Sequence, residues 1–138
     1  MRFVFNASNA VTQTKLVEPT GDGYTTGNCT EAALATLLQI PIEDVPEFDR
    51  TDAFTFWDGV EEFLKTRGLY LHYLGRPPKG EGCYLASGPT ERGVNTHHTV
   101  VYENNALVWD PHPSRAGLTE VVWYLEINDK PDPPLRSN

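Results

Sequence analysis

The segment Asn28-Cys29-Thr30-Glu31-Ala32-Ala33-Leu34-Ala35-Thr36-Leu37-Leu38 constrains this chain more than any other. Asn is a favoured N-cap, and Glu three residues later completes a capping-box pattern. The residues that follow are apolar nearly all round, and Pro41 blocks continuation. A helix this short and this apolar belongs in the middle of a core. It also fixes Cys29 at a helix start. There the free backbone N–H groups and the positive end of the macrodipole favour thiolate over thiol.

Around that helix the chain divides into an approach, a second helix and a β-rich half. Residues 1–27 are short apolar pieces ending in the loop Gly21-Asp22-Gly23-Tyr24-Thr25-Thr26-Gly27. Pro41 to Phe48 reads as a connector. From about Thr55 to Arg67, Phe56, Trp57, Val60, Phe63 and Leu64 recur at helical spacing, with Gly68 as a C-cap. Leu69–Leu74 reads as a strand, and Gly82–Ser87, His98–Tyr102, Leu107–Asp110 and Val121–Ile127 are four more. Helices first and an antiparallel sheet afterwards is the α+β pattern. The expected organisation is one domain over residues 1–128, with a central N-terminal helix on the sheet, and a Pro-rich flexible tail over 129–138.

Composition narrows the function classes. The 138 residues, 39% hydrophobic and 22% charged, suffice for one core without a disulfide scaffold or structural metal. A net charge of −8, with no basic run to track phosphates, argues against nucleic acid. No apolar stretch approaches the roughly eighteen residues of a membrane span, and MRFVFNASNAVTQTK lacks a signal-like hydrophobic run. A cytoplasmic protein without membrane partners is expected. The acidic run Glu43, Asp44, Glu47, Asp49, Asp52 reads as a solvated face. Cys29 and Cys83 show neither zinc-knuckle nor redox spacing.

Two further features complete a chemical set. His97-His98 opens the strand HHTVVY, and Asp110 closes the next one in Val108-Trp109-Asp110-Pro111. An imidazole near Cys29 would take the thiol proton, and a carboxylate on the other ring nitrogen would fix its tautomer. The hairpin between these strands decides which histidine serves. A three-residue loop Glu103-Asn104-Asn105 with a left-handed Asn puts His98 opposite Asp110. A two-residue Asn104-Asn105 turn sets His98 opposite Pro111 and Asp110 on the other face, and His97 requires a four-residue loop. Hairpin preferences favour the first arrangement, hence His98.

The residues GNCTEAALATLLQIP and HHTVVYENNALVWDPHPSRAGL together resemble the small papain-like cysteine peptidases, in particular the C39-like group and its compact bacterial and phage relatives. The resemblance covers about residues 21–118. It implies Cys29 as nucleophile, His98 as general base and Asp110 as orienting residue in a papain-like core. The implied activity is that of a thiol-dependent hydrolase or acyltransferase on an amide, isopeptide or thioester bond of a peptide, protein or small acyl substrate, with no cofactor. The stretch from Ser87 to Gly93 is similar to a loop preceding the catalytic His in the compact relatives. Those families carry an oxyanion Gln about six residues before the Cys. Here that position is Gly23, and the nearest upstream Gln is Gln13. Either Gln13 reaches back, or Asn28, Thr25 or Thr26 takes its place, or the module binds a peptide or small molecule without cutting it.

Other readings attach to the remaining residues. His97 and His112 are candidate lining residues, and His98, Asp110 and His112 are an alternative metal set. His97 and His98 cannot both face one ion from a regular strand. Cys83 and His72 read as packing residues, and Trp57, Trp109 and Trp123 as core or groove walls.

Overall fold

A computed structural model describes residues 2–17, 20–21, 27–92 and 97–131. Two α-helices, α1 (Cys29–Leu38) and α2 (Ala53–Thr66), precede five strands: β1 (Tyr70–Leu74), β2 (Cys83–Gly88), β3 (His98–Glu103), β4 (Ala106–Trp109) and β5 (Trp123–Asn128). The strands form one antiparallel sheet in the order β1-β5-β2-β3-β4. The last strand is therefore threaded between the first two. The α+β class read from the sequence is what the chain adopts, with strand limits within one or two residues of expectation. The expected flexible tail lies mostly outside the described residues.

Helix α1 lies against β3 and, less extensively, β2. Ala32, Ala33, Leu34 and Ala35 have no exposed surface. Leu34 joins Leu64 and Val60 of α2 and Leu85, Val101 and Leu125 of the sheet in one apolar cluster. Burying one such Leu contributes about 2 kcal/mol. The alanines let the helix approach the sheet closely. Helix α1 ends at Leu38, earlier than Pro41 demands, because Gln39 turns left-handed at φ 57° and Ile40 N–H closes onto Ala35 carbonyl. By contrast α2 is amphipathic, with Val60 and Leu64 inward and Asp52 as its N-cap through Thr55 N–H at 2.8 Å.

The capping box expected at Asn28 does not form. Asn28 precedes α1, but its side chain accepts from Lys15 N–H at 2.9 Å and donates to Thr14 Oγ1 at 2.9 Å. Glu31 turns to Arg50 and Phe48 N–H instead, at 2.6 and 3.2 Å. Both residues join α1 to neighbouring segments, because each has a longer-range partner that a local cap would exclude. The first turn of α1 therefore carries no side-chain cap.

The β3–β4 hairpin corrects the expected loop. Glu103 pairs with Ala106 across a two-residue turn, Asn104 and Asn105, both left-handed at φ 51° and 60°. This is the backbone of a type I′ turn, which matches the twist of the strands better than a longer loop. Alone, that turn would place Asp110 away from His98. A bulge intervenes: Tyr102 pairs with Leu107 but Val101 with Trp109, so Val108 is the extra residue. Carrying the shifted register one step further sets Asp110 opposite Val100, two residues from His98 and on its side of the sheet.

Candidate active site

Cys29 is the first residue of α1 and is half-buried, at the wall of a cleft of about 850 Å³. Beside it Thr30 Oγ1 and Thr99 Oγ1 share a 2.8 Å hydrogen bond that ties the helix start to β3. That strand begins one residue earlier, at His98, so the tie delivers the imidazole to the thiol. His98 is itself buried, at 7% exposure. Its Nε2 meets Asp110 Oδ1 at 2.6 Å, which leaves Nδ1 as the ring's uncommitted nitrogen, and the ring and the Cys29 thiol are close enough to shift each other's titration.

Three donors hold Asp110, which is 1% exposed. Oδ1 accepts from His98 and from His112 N–H at 2.9 Å, and Oδ2 from Gly117 N–H at 2.7 Å. Gly117 sits at φ 78°, where a Cβ would also lie 3.0 Å from Leu107 Cδ2. Arg115 fixes the same loop. Its guanidinium stacks on Trp109 at 4.1 Å, donates to the carbonyls of Asp110, Pro111 and His112, and reaches Thr12 Oγ1 at 2.7 Å.

The charges follow from these contacts. For Cys29, burial pushes the thiol up, but the hydrogen bond and positive charge of His98, with smaller help from Thr99 backbone and Thr30, bring it below its ordinary value. Burial pushes His98 down, yet hydrogen bonds to Asp110 and Cys29 and the charges of both raise it to about 9. Asp110 is disfavoured as an anion by burial, but its bonds to His98, His112 N–H and Gly117 N–H hold it below the usual carboxylate range. All three directions favour thiolate, imidazolium and carboxylate together.

Of the oxyanion candidates, Gln13 lines the cleft. Its Nε2 donates to Lys15 carbonyl at 2.9 Å and lies beside Gly27, while Oε1 is buried without a partner among the described residues. Gln13 N–H on Pro111 carbonyl at 2.9 Å holds it there, together with the pairing of Lys15 with Asn28, in which Lys15 N–H donates to Asn28 Oδ1 and Asn28 N–H to Lys15 carbonyl. Asn28's own side-chain amide is occupied by that pairing. Thr25 and Thr26 lie outside the described residues.

His97 is exposed at the cleft rim, just before β3. His112 lines the cleft with its ring 6.1 Å from that of His98, and Nδ1 is bonded to Ser114 at 2.9 Å. Burial and the Arg92 charge push it below the ordinary histidine value. The alternative metal set of His98, Asp110 and His112 is not assembled. Among the described residues no group of three His, Cys, Asp or Glu is placed to hold an ion. Both Asp110 oxygens are already committed to N–H donors.

Cys83 is buried in β2, where burial and the Glu103 charge raise its thiol. His72 meets Asn128 Oδ1 and Lys130 carbonyl. Trp57 and Trp123 line the cleft, whereas Trp109 packs against the core with Nε1 donating to Val11 carbonyl at 2.9 Å. Sequence reasoning missed Gly117, Arg115, Thr30 and Thr99 as supports. The first two stand in PSRAG, a run with no motif value until its loop is seen to wrap Asp110.

No protein-family model, curated protein or solved structure matches the chain. Among the described residues no helix is long and apolar enough to cross a membrane.

Proposed function

We propose that the protein is a thiol-dependent hydrolase or acyltransferase of papain-like type, with Cys29 as nucleophile, His98 as proton carrier and Asp110 as orienting carboxylate. The observation that carries this reading is the 2.6 Å bond between His98 Nε2 and Asp110 Oδ1 at a cleft that Cys29, the first residue of α1, also lines, with the thiol and the ring shifting each other's titration.

The chemistry starts with the thiol proton already on His98. The Cys29 sulfur attacks the substrate carbonyl carbon, and the carbonyl electron pair moves to oxygen. Backbone N–H groups of the uncapped first turn of α1, and the second N–H of the Gln13 amide at the cleft wall, are the donors that would stabilise that oxyanion. As the intermediate collapses, His98 gives its proton to the leaving nitrogen or sulfur, leaving an acyl-thioester on Cys29. Neutral His98 then takes a proton from water or an acceptor amine as that nucleophile attacks. The acyl product departs, and the thiolate and imidazolium are restored. Asp110 holds Nε2 throughout, so Nδ1 stays aimed at the reacting atoms.

A chromogenic thioester tests the reading. Wild-type protein is expected to release thiol with a burst equal to the protein concentration and to carry the acyl mass on the Cys29 peptide. Cys29→Ala should release none above background. Equal turnover by Cys29→Ala, or an acyl mass on Cys83, would remove the proposal.

A further inference from the structure

The cleft has two chemically distinct ends, and Cys29 lies between them. Toward β1 and β5 the wall is aromatic: Trp57 meets Tyr73 edge to face at 6.2 Å, and Trp123 stands 47% exposed beside them. Trp123 is the register partner of Ser87, and Ser87 that of Thr99, so these three cleft residues form one row across the sheet. Two strand spacings separate its ends, about 10 Å. Thr99 is the residue tied to Thr30, next to the nucleophile.

The opposite end, beyond His98, is cationic in a chain of net charge −8. His98 faces His112, His112 bonds Ser114, and Ser114 accepts from Arg92 at 3.1 Å. Among the described residues Arg92 has no carboxylate within ion-pair distance, unlike Arg50 at the same cleft, which is held by Glu31. Two residues before Arg92 lies Thr90, 6% exposed, whose buried Oγ1 has no hydrogen-bond partner among the described residues. A buried hydroxyl without a partner costs free energy unless a ligand supplies one. Thr90 and Arg92 together are the donors that an anionic oxygen requires.

We propose that the substrate is a short peptide, or a like-shaped acyl amino acid, whose leaving amine carries a free carboxylate bound by Arg92 and Thr90. Its acyl side carries a bulky apolar group bound by Trp123, Trp57 and Tyr73. The polarity follows from His98, which protonates the leaving nitrogen and stands on the Arg92 side. The 10 Å row accommodates up to about three extended residues between the reacting carbonyl and the apolar group. This assignment rests on the acyl-transfer reading for its orientation. Its two recognition ends can be tested without turnover.

The probe is N-acetyl-Phe-Ala-Ala-Ala, compared with its C-terminal amide and with N-acetyl-Ala-Ala-Ala-Ala, titrated into the Cys29→Ala protein by calorimetry. The free acid is expected to bind at least tenfold tighter than the amide, the range of a charge-assisted hydrogen bond. Arg92→Gln should erase that preference, and Trp123→Ala should erase the preference for Phe over Ala. Equal binding of acid and amide, or no binding of any of the three, overturns the proposal. Acid-selective binding by Cys29→Ala without cleavage by the wild type would sustain these recognition ends and sink the hydrolase reading. Cleavage of acid and amide with equal kcat/KM would do the reverse.

Discussion

His98 and Asp110 are joined at 2.6 Å across a hairpin whose turn alone would have parted them. The two-residue turn puts them out of phase, and the extra residue Val108 restores the phase. Deleting Val108 should therefore remove the bulge and its parity shift together: Trp109 then follows Leu107 and still pairs with Val101, and Asp110 stays opposite Val100. The expected result is a folded protein that keeps the raised His98 value in an NMR titration. A deletion variant whose His98 midpoint falls to the ordinary value of about 6.5 would contradict the role given to the bulge.

Asp110→Asn keeps the shape of the acceptor but removes its charge and offers an amide group to Nε2. Thioester turnover is expected to fall by a factor of about 10²–10⁴. His98 should titrate lower than about 9, since the Asp110 bond and charge are among the causes that raise it. Turnover within twofold of wild type would show that Asp110 only packs.

The pH dependence follows from the signs of the two shifts. The reactive form needs Cys29 deprotonated and His98 protonated. Its population rises as pH climbs through the lowered Cys29 value and falls as pH passes the His98 value of about 9. The profile of kcat/KM should be bell-shaped, with its alkaline limb near 9. The two limbs belong to the coupled pair and not to either residue alone. An alkaline limb near 6.5, the ordinary histidine value, would mean that His98 is not held by its partners.

Gly117 is placed to give Asp110 its third donor. Its φ of 78° costs an L-residue about 1–2 kcal/mol, so Gly117→Ala should lower thermal stability by that order. It should also weaken the N–H bond to Oδ2, an effect read as a lower His98 titration midpoint. Loss of stability with an unaltered His98 midpoint would separate the turn from the site.

Glu31 is 2% exposed and charged, with Arg50 as its ion-pair partner at 2.6 Å. Removing one member of a buried pair strands the other, so Arg50→Ala is expected to cost about 3 kcal/mol by urea denaturation. Arg50→Met with Glu31→Gln should recover part of that loss. A cost below about 1 kcal/mol for Arg50→Ala would place the pair among weak surface bridges.

How much of this was legible in the sequence depended on whether the signal was local. The apolar periods of α1 and α2 and the alternating strands are local, and they stand where periodicity put them. Asn28 and Glu31 carried a capping signal that tertiary partners overrode. Each was drawn to a residue 13 or more positions away in the chain, which no local pattern encodes. The pairing of His98 with Asp110 was reached by the correct parity but the wrong loop, because a bulge leaves no mark in the sequence of β4. Gln13 was recognisable only as an upstream Gln, since its bond to Pro111 and the pairing of Lys15 with Asn28, which hold it at the cleft, are long-range. Arg92 and Thr90 stood in a stretch without an assigned role until Ser114 and His112 gave it a neighbourhood.

The proposed role of Cys29 requires that it form an ion pair with His98. Iodoacetamide alkylation rates at Cys29 and Cys83, followed by peptide mass against pH, test this most directly, with His98→Ala alongside. Cys29 should react with a midpoint below the ordinary thiol value of about 8.5 and well ahead of buried Cys83, and His98→Ala should return that midpoint upward. A Cys29 midpoint at or above the ordinary value, unchanged by His98→Ala, would contradict the account.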